Sequence, residues 1–301
     1  MVEISAQMVK ELRDRSGAAM MDCKKALVEA SGDFEKAFEW LRQKGVAVAS
    51  KKAARTASEG LVVGQVSPDG KTGVLLEVNC ETDFVARNEE FVALTKELAD
   101  ALMASQAKGT EEFLKCQHKG GSIADLITER IAKTGENIVV RRTAVVKLEK
   151  EGIVGLYVHA LGGKMGALVR IEADKAPSDK DRLAQVAKDV AMHVVSAKPQ
   201  FVNRSDIPAE VIENERRIES GKQDLQDKKP EMREKIVQGR VDKIIAERCL
   251  CDQQFVKDPT QTVAKYLAQV GKEVGATLEV KQFALFILGE TQSDADGKSE
   301  E

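Results

Sequence analysis

The chain carries the same hydrophobic pattern twice, and this repeat limits the folds open to it more than any other feature. In each copy two apolar runs flank a turn of the form Gly-Lys-x-Gly, at Gly70–Gly73 and at Gly163–Gly166. Such a pattern predicts a β-hairpin, and a helical pattern and a third apolar run follow it. The matching segments are 60–78, 91–102 and 137–146 in the first copy and 152–171, 183–195 and 277–286 in the second. The repeat therefore predicts an α+β fold with two related core subdomains, residues 59–148 and residues 149–204 with 252–290. Each is expected to be a three-stranded antiparallel sheet backed by helices.

A small helical domain is predicted before the first copy, over residues 1–45. Ser5 and Asp33 are suited to cap helices, and Gly45 is expected to end the third helix. Met20 and Met21 belong to a Met-rich face of the second helix, which we interpret as core more readily than as contact surface. Residues 46–58 are rich in Ala and basic side chains, and we expect a helical or flexible linker with a solvated face.

The second copy contains an insertion over residues 205–251. Val211, Ile218 and Leu225 recur every seven residues, and residues 228–230, Lys-Lys-Pro, interrupt the pattern. Val237 begins a second apolar helical face. This pattern predicts an antiparallel coiled-coil hairpin whose arms are each about 27 Å long. The polar, acidic segment 291–301 is predicted to be disordered.

Composition narrows the possible functions. The net charge of −3 provides no general basic field for gathering nucleic acid, and aromatic residues are only 4% of the 301 residues. No apolar run approaches the roughly 20 residues of a membrane span, and residues 1–5 do not resemble a signal peptide. We therefore expect a cytoplasmic protein with no direct nucleic-acid or membrane partner.

Motifs for chemistry are weak. Gly70-Lys71-Thr72 lacks the Gly that a P-loop requires at position 65 and opens a strand instead of a helix. Cys249-x-Cys251 has no second pair or nearby His to complete a metal site, so we predict neither a metal nor a cofactor. Free thiols are expected from five scattered cysteines. A thiol enzyme using Cys23 or Cys116 with a distant His stays open as an alternative.

A strand-to-helix corner follows the first hairpin, at residues 81–88, Glu-Thr-Asp-Phe-Val-Ala-Arg-Asn. Thr82 and Asp83 are suited to cap the following helix, and core packing is the ordinary role for Phe84. Asp83 as a lone general base is a further, weaker possibility. The second copy has residues 172–175, Glu-Ala-Asp-Lys, at its corner and no aromatic there. This loss suggests that the first corner has a separate role, in which an acid and an aromatic together enter a partner.

Four separated motifs, which span nearly the whole chain in one order, resemble a known family. The motifs are residues 12–27, residues 77–88, residues 135–138 with Arg141-Arg142, and residues 191–194 with 198–201. The chain resembles bacterial translation elongation factor Ts. The resemblance implies a ubiquitin-associated-like helical domain, two core subdomains and an inserted coiled coil.

The resemblance also implies a function. Members of this family are nucleotide exchange factors for the GTPase elongation factor Tu and have no chemical active site. In the family, the segment that corresponds to Thr82, Asp83, Phe84 and Val85 enters the GTPase and displaces Mg²⁺. Met20, Met21 and His159 are implied as further contacts. A general interaction scaffold without exchange activity is the alternative from another functional class.

Overall fold

The computed structural model describes residues 4–16, 18, 20–160, 162–226 and 228–290, so the predicted disordered tail 291–301 lies outside the described residues. The helices are α1 Ala6–Ser16, α2 Met20–Glu29, α3 Phe34–Lys52, α4 Asp83–Ala86, α5 Glu89–Ser105, α6 Thr110–Lys115, α7 Ile123–Thr134, α8 Lys180–Ala197, α9 Ala209–Ser220, α10 Pro230–Arg248 and α11 Val263–Val274. The strands are β1 Glu59–Val66, β2 Thr72–Cys80, β3 Gln117–His118, β4 Gly121–Ser122, β5 Val139–Lys147, β6 Gly152–Val158, β7 Met165–Ala173, β8 Gln254–Phe255, β9 Asp258–Thr262 and β10 Leu278–Ile287.

Two three-stranded sheets contain the longer strands, in the orders β1-β2-β5 and β10-β7-β6. With the helices they confirm the predicted α+β class. The chain divides into two compact units, residues 1–63 with 76–143 and residues 64–75 with 144–301. Among the helices described, none combines the length and the apolar character needed to cross a bilayer.

The first three helices pack around a small apolar core. Ser5 accepts a hydrogen bond from the Met8 N–H at 3.2 Å, and Asp33 accepts from the N–H groups of Glu35 and Lys36 at 3.0 and 3.1 Å. Both predicted caps are thus confirmed. The buried members of this core are Val9, Leu12, Cys23, Ala26, Leu27 and Ala37.

The predicted end of the third helix at Gly45 is wrong, because α3 continues to Lys52 and so includes half of the predicted linker. Gly45 is buried, and a Cβ placed on it would lie 3.5 Å from the Cβ of Ala132 in α7. Gly45 is therefore an interior position of α3 that faces α7, and not a helix stop. Lys52 beyond it donates a hydrogen bond to the carbonyl oxygen of Gly135.

Each copy of the repeat has the same order of elements. A hairpin is followed by a long helix, then by a two-stranded ribbon, a capped helix and a closing strand. Ser122 caps α7 and Thr262 caps α11 in equivalent places, and Gly135 and Gly275 end those helices with φ of 75° and 69°. Helices α4 and α6 occur only in the first copy and helices α9 and α10 only in the second, as far as the described residues go.

The second sheet is regular. Strand β7 pairs antiparallel with β6 and with β10, and the register opposes Ile171 to Ile153 and to Val280. Helices α8 and α11 cover this sheet with buried Val, Leu and Ala side chains. The sheet therefore has one face packed against helices, as the alternation of apolar residues predicts.

The inserted helices differ from the prediction in length. Helix α9 ends at Ser220 after 12 residues, about 18 Å, whereas α10 has 19 residues, about 28 Å. Leu225 lies beyond α9 in a 3-10 turn, where it is buried, while Ile218 is half exposed. The prediction of two equal 27 Å arms with a heptad through Leu225 is therefore wrong.

The two inserted helices are nevertheless antiparallel neighbours. Glu215 in the middle of α9 pairs with Arg248 at the end of α10, at 2.5 Å, and Glu219 near the end of α9 pairs with Arg240 at 3.6 Å. Their shared core contains Ile207, Leu225, Val237, Val241, Ile245 and Cys249.

Candidate functional site

The corner after β2 folds into a single helical turn between two caps. Thr82 has extended backbone angles, and its hydroxyl oxygen accepts the Val85 N–H at 3.3 Å, which starts α4. Asn88 accepts the Glu90 N–H at 2.8 Å and starts α5. Because the two caps stand six residues apart, the chain between them is restricted to the one turn of α4.

Phe84 projects from this turn into solvent. Its exposure is 83%, the highest among the large hydrophobic side chains that the structure describes. Ala86 takes the inward position of the turn and is buried, and Val85 is half-buried. The core role that is ordinary for Phe84 is therefore wrong, because Ala86 and not Phe84 takes the inward position.

Thr82 and Asp83 have different roles, although the sequence suggested that both could cap the helix. Thr82 is the cap, whereas Asp83 occupies the first helical position and forms an ion pair with Arg87 at 3.0 Å. A carboxylate at this position favours the positive end of the helix. The turn therefore presents an acid beside an exposed aromatic ring.

A single carboxylate, that of Glu136, holds the start of the turn. Its Oε2 accepts the N–H groups of Glu81 at 3.1 Å and Thr82 at 3.0 Å, and its Oε1 accepts the Thr82 hydroxyl at 2.7 Å. Hydrogen bonds to an ionised acceptor are stronger than those between neutral groups. Glu136 therefore fixes the peptide from which the exposed turn begins.

Glu81 in turn contacts the loop that contains Glu136. Its Oε1 accepts the Asn137 N–H at 2.7 Å, and its Oε2 lies 3.4 Å from the Arg55 guanidinium. The Asn137 N–H, together with the Arg55 charge, holds the pKa of the Glu81 carboxyl below its ordinary value. The Asn137 amide also donates to the Arg55 carbonyl oxygen at 2.9 Å. Hydrogen bonds thus join the corner and this loop in both directions, with a carboxylate from each accepting from the other.

The Cys80 thiol completes the set of contacts and donates to the Thr82 carbonyl oxygen at 3.2 Å. Burial, and then the nearby Glu136 charge, raises the pKa of Cys80 to about 12. A thiol with so high a pKa is a poor nucleophile at neutral pH. Its role at the corner is therefore a structural hydrogen bond.

The equivalent corner of the second copy has only part of this arrangement. Asp174 stands one residue after β7, as Glu81 stands one residue after β2, and it accepts the Thr277 N–H at 2.7 Å. That bond holds the pKa of the Asp174 carboxyl below its ordinary value. The chain then continues as bends without a helical turn until α8.

The further predicted contact residues lie elsewhere. Met20 and Met21, at the start of α2, are 51% and 64% exposed, so the preference for a core role is wrong for both. His159 follows β6, and its Nδ1 lies 3.2 Å from the Tyr157 hydroxyl oxygen. His159 belongs to the second unit, whereas the corner, Met20 and Met21 belong to the first.

The thiols proposed for an enzyme are bonded to backbone carbonyls. Cys23 is buried and donates to Ala18 at 3.7 Å, and Cys116 donates to Glu112 at 3.4 Å. His118, near Cys116 in sequence, is bonded to Glu97 at 2.7 Å. These contacts indicate structural roles for both cysteines.

The paired cysteines near the end of the insertion, Cys249 and Cys251, are protonated as free thiols at neutral pH, because burial raises the pKa of each to about 11. Within the described parts of the chain, no group of three or more His, Cys, Asp or Glu side chains is placed to hold a metal ion.

The sequence predicts a partner-binding site at Thr82–Val85 but gives no role to Glu136, whose bonds to the corner span 54 and 55 residues of sequence. The available signal was Gly135-Glu136-Asn137, one of the motifs that carry the family resemblance. Its role could not be assigned without the fold that brings it to the corner.

Comparisons with known proteins agree with the motifs. A family model described as "Elongation factor TS" matches residues 81–290. The chain is 44% identical over 296 residues to the elongation factor Ts of Nostoc sp. (strain PCC 7120), across 96% of this chain and 94% of that protein. It is also 44% identical over 291 residues to the elongation factor Ts of Clostridium botulinum (strain ATCC 19397 / Type A), across 95% of this chain and 93% of that protein.

Proposed function

Because the chain belongs to the elongation factor Ts family of translation elongation factors, we propose that it is the guanine nucleotide exchange factor for elongation factor Tu. It binds the GDP-bound GTPase and promotes release of GDP, so that GTP can bind. It has no chemical active site, because its action is to change the affinity of another protein for a nucleotide.

The observation that carries this proposal is the exposed Phe84 ring on a turn fixed at its base. Burying a phenylalanine side chain in a partner contributes about 1.5–3 kcal/mol relative to leaving it in water. An aromatic so exposed is therefore a source of binding free energy that the isolated chain does not use. A fixed turn increases that contribution, because less conformational freedom is lost on binding.

The proposed mechanism is insertion of Thr82–Val85 beside the nucleotide site of the GTPase. The Mg²⁺ ion held there neutralises phosphate charge, so its displacement weakens the binding of GDP. Each 1.4 kcal/mol removed from the barrier accelerates release about tenfold. The coupling is reciprocal: GDP weakens the binding of the factor by the same ratio by which the factor weakens GDP.

Met20, Met21 and His159 are proposed as secondary contacts with the GTPase. The exposure of both methionines supports this role, because thioether side chains adapt to partner surfaces. His159 is proposed from the resemblance alone.

We also propose a division of the chain into domains. Residues 1–45 belong to the helical domain, and its third helix continues to Lys52, inside the linker at 46–58. Residues 59–148 form the first core subdomain, 149–204 with 252–290 the second, and 205–251 the coiled-coil insertion. We place the protein in the cytoplasm, with elongation factor Tu as its partner and no direct contact with nucleic acid or membrane.

The test is the release of a fluorescent GDP from elongation factor Tu, followed by stopped flow at increasing concentrations of the chain. The proposal predicts a release rate that rises with concentration and saturates. An interaction scaffold would bind the GTPase without changing the rate. A thiol enzyme would lose activity when Cys23 and Cys116 are each replaced by Ser, whereas an exchange factor would keep its rate.

A further inference from the structure

We propose that Glu136 is a positioning residue for nucleotide exchange: it holds the turn that carries Phe84 in the conformation that meets the GTPase. This inference rests on the proposed function and deepens it. Glu136 is half-buried and contacts the backbone at the base of the turn, so its effect is exerted through Thr82 and Glu81.

The contacts leave the Thr82 peptide little freedom. Its N–H and its hydroxyl donate to Glu136, at 3.0 and 2.7 Å. Its carbonyl oxygen accepts the Cys80 thiol at 3.2 Å and the Ala86 N–H at 3.1 Å. Every polar atom of the residue that caps α4 is therefore engaged, and three of these four contacts are made by Glu136 and Cys80, outside the turn itself.

The turn requires such support because it is short. Helix α4 has four residues, and an isolated helix of this length is not stable in water. Phe84 adds little packing, since its ring is exposed. The free energy that keeps the turn folded must come mainly from its base, where the Glu136 carboxylate supplies three hydrogen bonds.

The internal repeat separates this positioning role from a general structural one. Both copies keep the bond that closes the sheet, Asn137 N–H to Glu81 in the first and Thr277 N–H to Asp174 in the second. The residue before Asn137 is Glu136, and the residue before Thr277 is Ala276. The carboxylate is therefore present in the copy that has the aromatic turn and absent from the copy that lacks it, although both copies fold.

Loss of the carboxylate has a specific kinetic consequence. If the productive turn is populated for only about one tenth of the time, the apparent affinity for the partner falls about tenfold. Once bound, the turn is in place and Phe84 acts as before. A positioning residue therefore changes the concentration of factor that gives half-maximal release, and it leaves the saturating rate nearly unchanged.

The experiment compares Glu136→Ala with Glu136→Gln in the stopped-flow release of fluorescent GDP. We expect Glu136→Ala to raise the half-saturating concentration about tenfold and to change the saturating rate by less than about twofold. Glu136→Gln keeps a carbonyl oxygen for the two N–H groups, and we expect it to stay within about threefold of the wild type. Asp174→Ala, which removes the carboxylate that holds the corner of the second copy, is the control, and we expect it to leave both parameters unchanged.

Hydrogen exchange of single amides provides a second readout that needs no GTPase. In Glu136→Ala the amides of Glu81 and Thr82 are expected to exchange faster, because they lose their acceptor. The Asn137 amide, bonded to Glu81, is expected to keep its protection. Faster exchange throughout the first unit would instead indicate a general structural role and would overturn the inference.

The outcomes distinguish this inference from the proposed function. If Phe84→Ala slows release and Glu136→Ala leaves the half-saturating concentration at the wild-type value, the positioning role is wrong and the exchange function stands. If Phe84→Ala releases GDP at the wild-type rate, the proposed function itself fails. If Glu136→Ala does not fold, Thr82→Val removes the hydroxyl that donates to Glu136 and also accepts the Val85 N–H. This variant is expected to raise the half-saturating concentration at least about threefold; an unchanged value would refute the inference.

Discussion

Gly152, the first residue of β6, offers the sharpest test of how the two hairpins are built. Its φ of 137° is one that side chains with a Cβ rarely adopt, and a Cβ placed there would lie 2.1 Å from the carbonyl oxygen of Ile171. That oxygen belongs to the neighbouring strand β7, so it cannot move without disturbing the sheet. Gly60 stands at the same place in the first hairpin, with φ 142° and the Val78 oxygen at 2.1 Å.

Gly152→Ala is therefore expected to lower the free energy of unfolding by about 3–5 kcal/mol, from backbone strain together with the steric overlap. The assay is urea unfolding followed by circular dichroism. Gly239→Ala is the matched control, because Gly239 lies inside α10 with nothing within 4 Å of its added Cβ. That variant is expected to gain up to about 1 kcal/mol from helix propensity. A Gly152→Ala protein within about 1 kcal/mol of the wild type would refute the reasoning.

Three further predictions concern caps, pH and thiols. Asp33→Ala removes the cap of α3 and is expected to lower the free energy of unfolding by about 1 kcal/mol in the same urea assay; an unchanged midpoint would contradict it. Folding lowers the pKa values of Glu81 and Asp174. Their contribution to the free energy of unfolding is therefore present above the unfolded pKa, about 4, and is lost as the pH falls through the folded pKa. Unfolding midpoints should thus decrease below about pH 5, and Glu81→Gln should flatten this dependence. Cys80, buried and with a pKa raised to about 12, should react with iodoacetamide at pH 8 more slowly than the half-buried Cys116, as mass spectrometry of the modified peptides would report.

The hairpins and the repeat could be predicted because their signals are local. Alternating apolar residues, glycines at turns and side chains suited to capping act within a few residues of themselves. Ser5 and Asp33 cap helices as their sequence positions indicate, and both three-stranded sheets contain the apolar runs that were matched between the copies.

The predictions of helix ends are wrong where a contact between residues far apart in the sequence determines the structure. Gly45 has the local signature of a helix end, but it is a buried position of α3 that faces Ala132 of α7, and the helix continues past it to Lys52. Leu225 fits a heptad with Val211 and Ile218, yet α9 ends at Ser220. Leu225 lies in a separate 3-10 turn, where its side chain is buried. Periodicity reports which residues are apolar and not where the helix between them stops.

In the candidate site, too, local features could be predicted from the sequence and contacts between distant residues could not. The corner and its capping residue Thr82 could be located from sequence, since a cap needs only its own neighbours. The exposure of Phe84 could not, because an aromatic residue is usually buried and nothing local marks the exception. The contact with Glu136 spans 54 residues and depends on the closing strand that brings the two loops together.

The most direct test of the account is the rate at which Phe84→Ala releases fluorescent GDP from elongation factor Tu at saturating concentration. Because the ring is 83% exposed, the variant should keep its free energy of unfolding within about 0.5 kcal/mol of the wild type. We expect removal of the ring to cost about 1.4 kcal/mol or more of transition-state stabilisation. Release at saturating concentration should then be at least about tenfold slower than with the wild-type chain. Release by the folded variant at the wild-type rate would contradict the central claim that this exposed turn drives exchange.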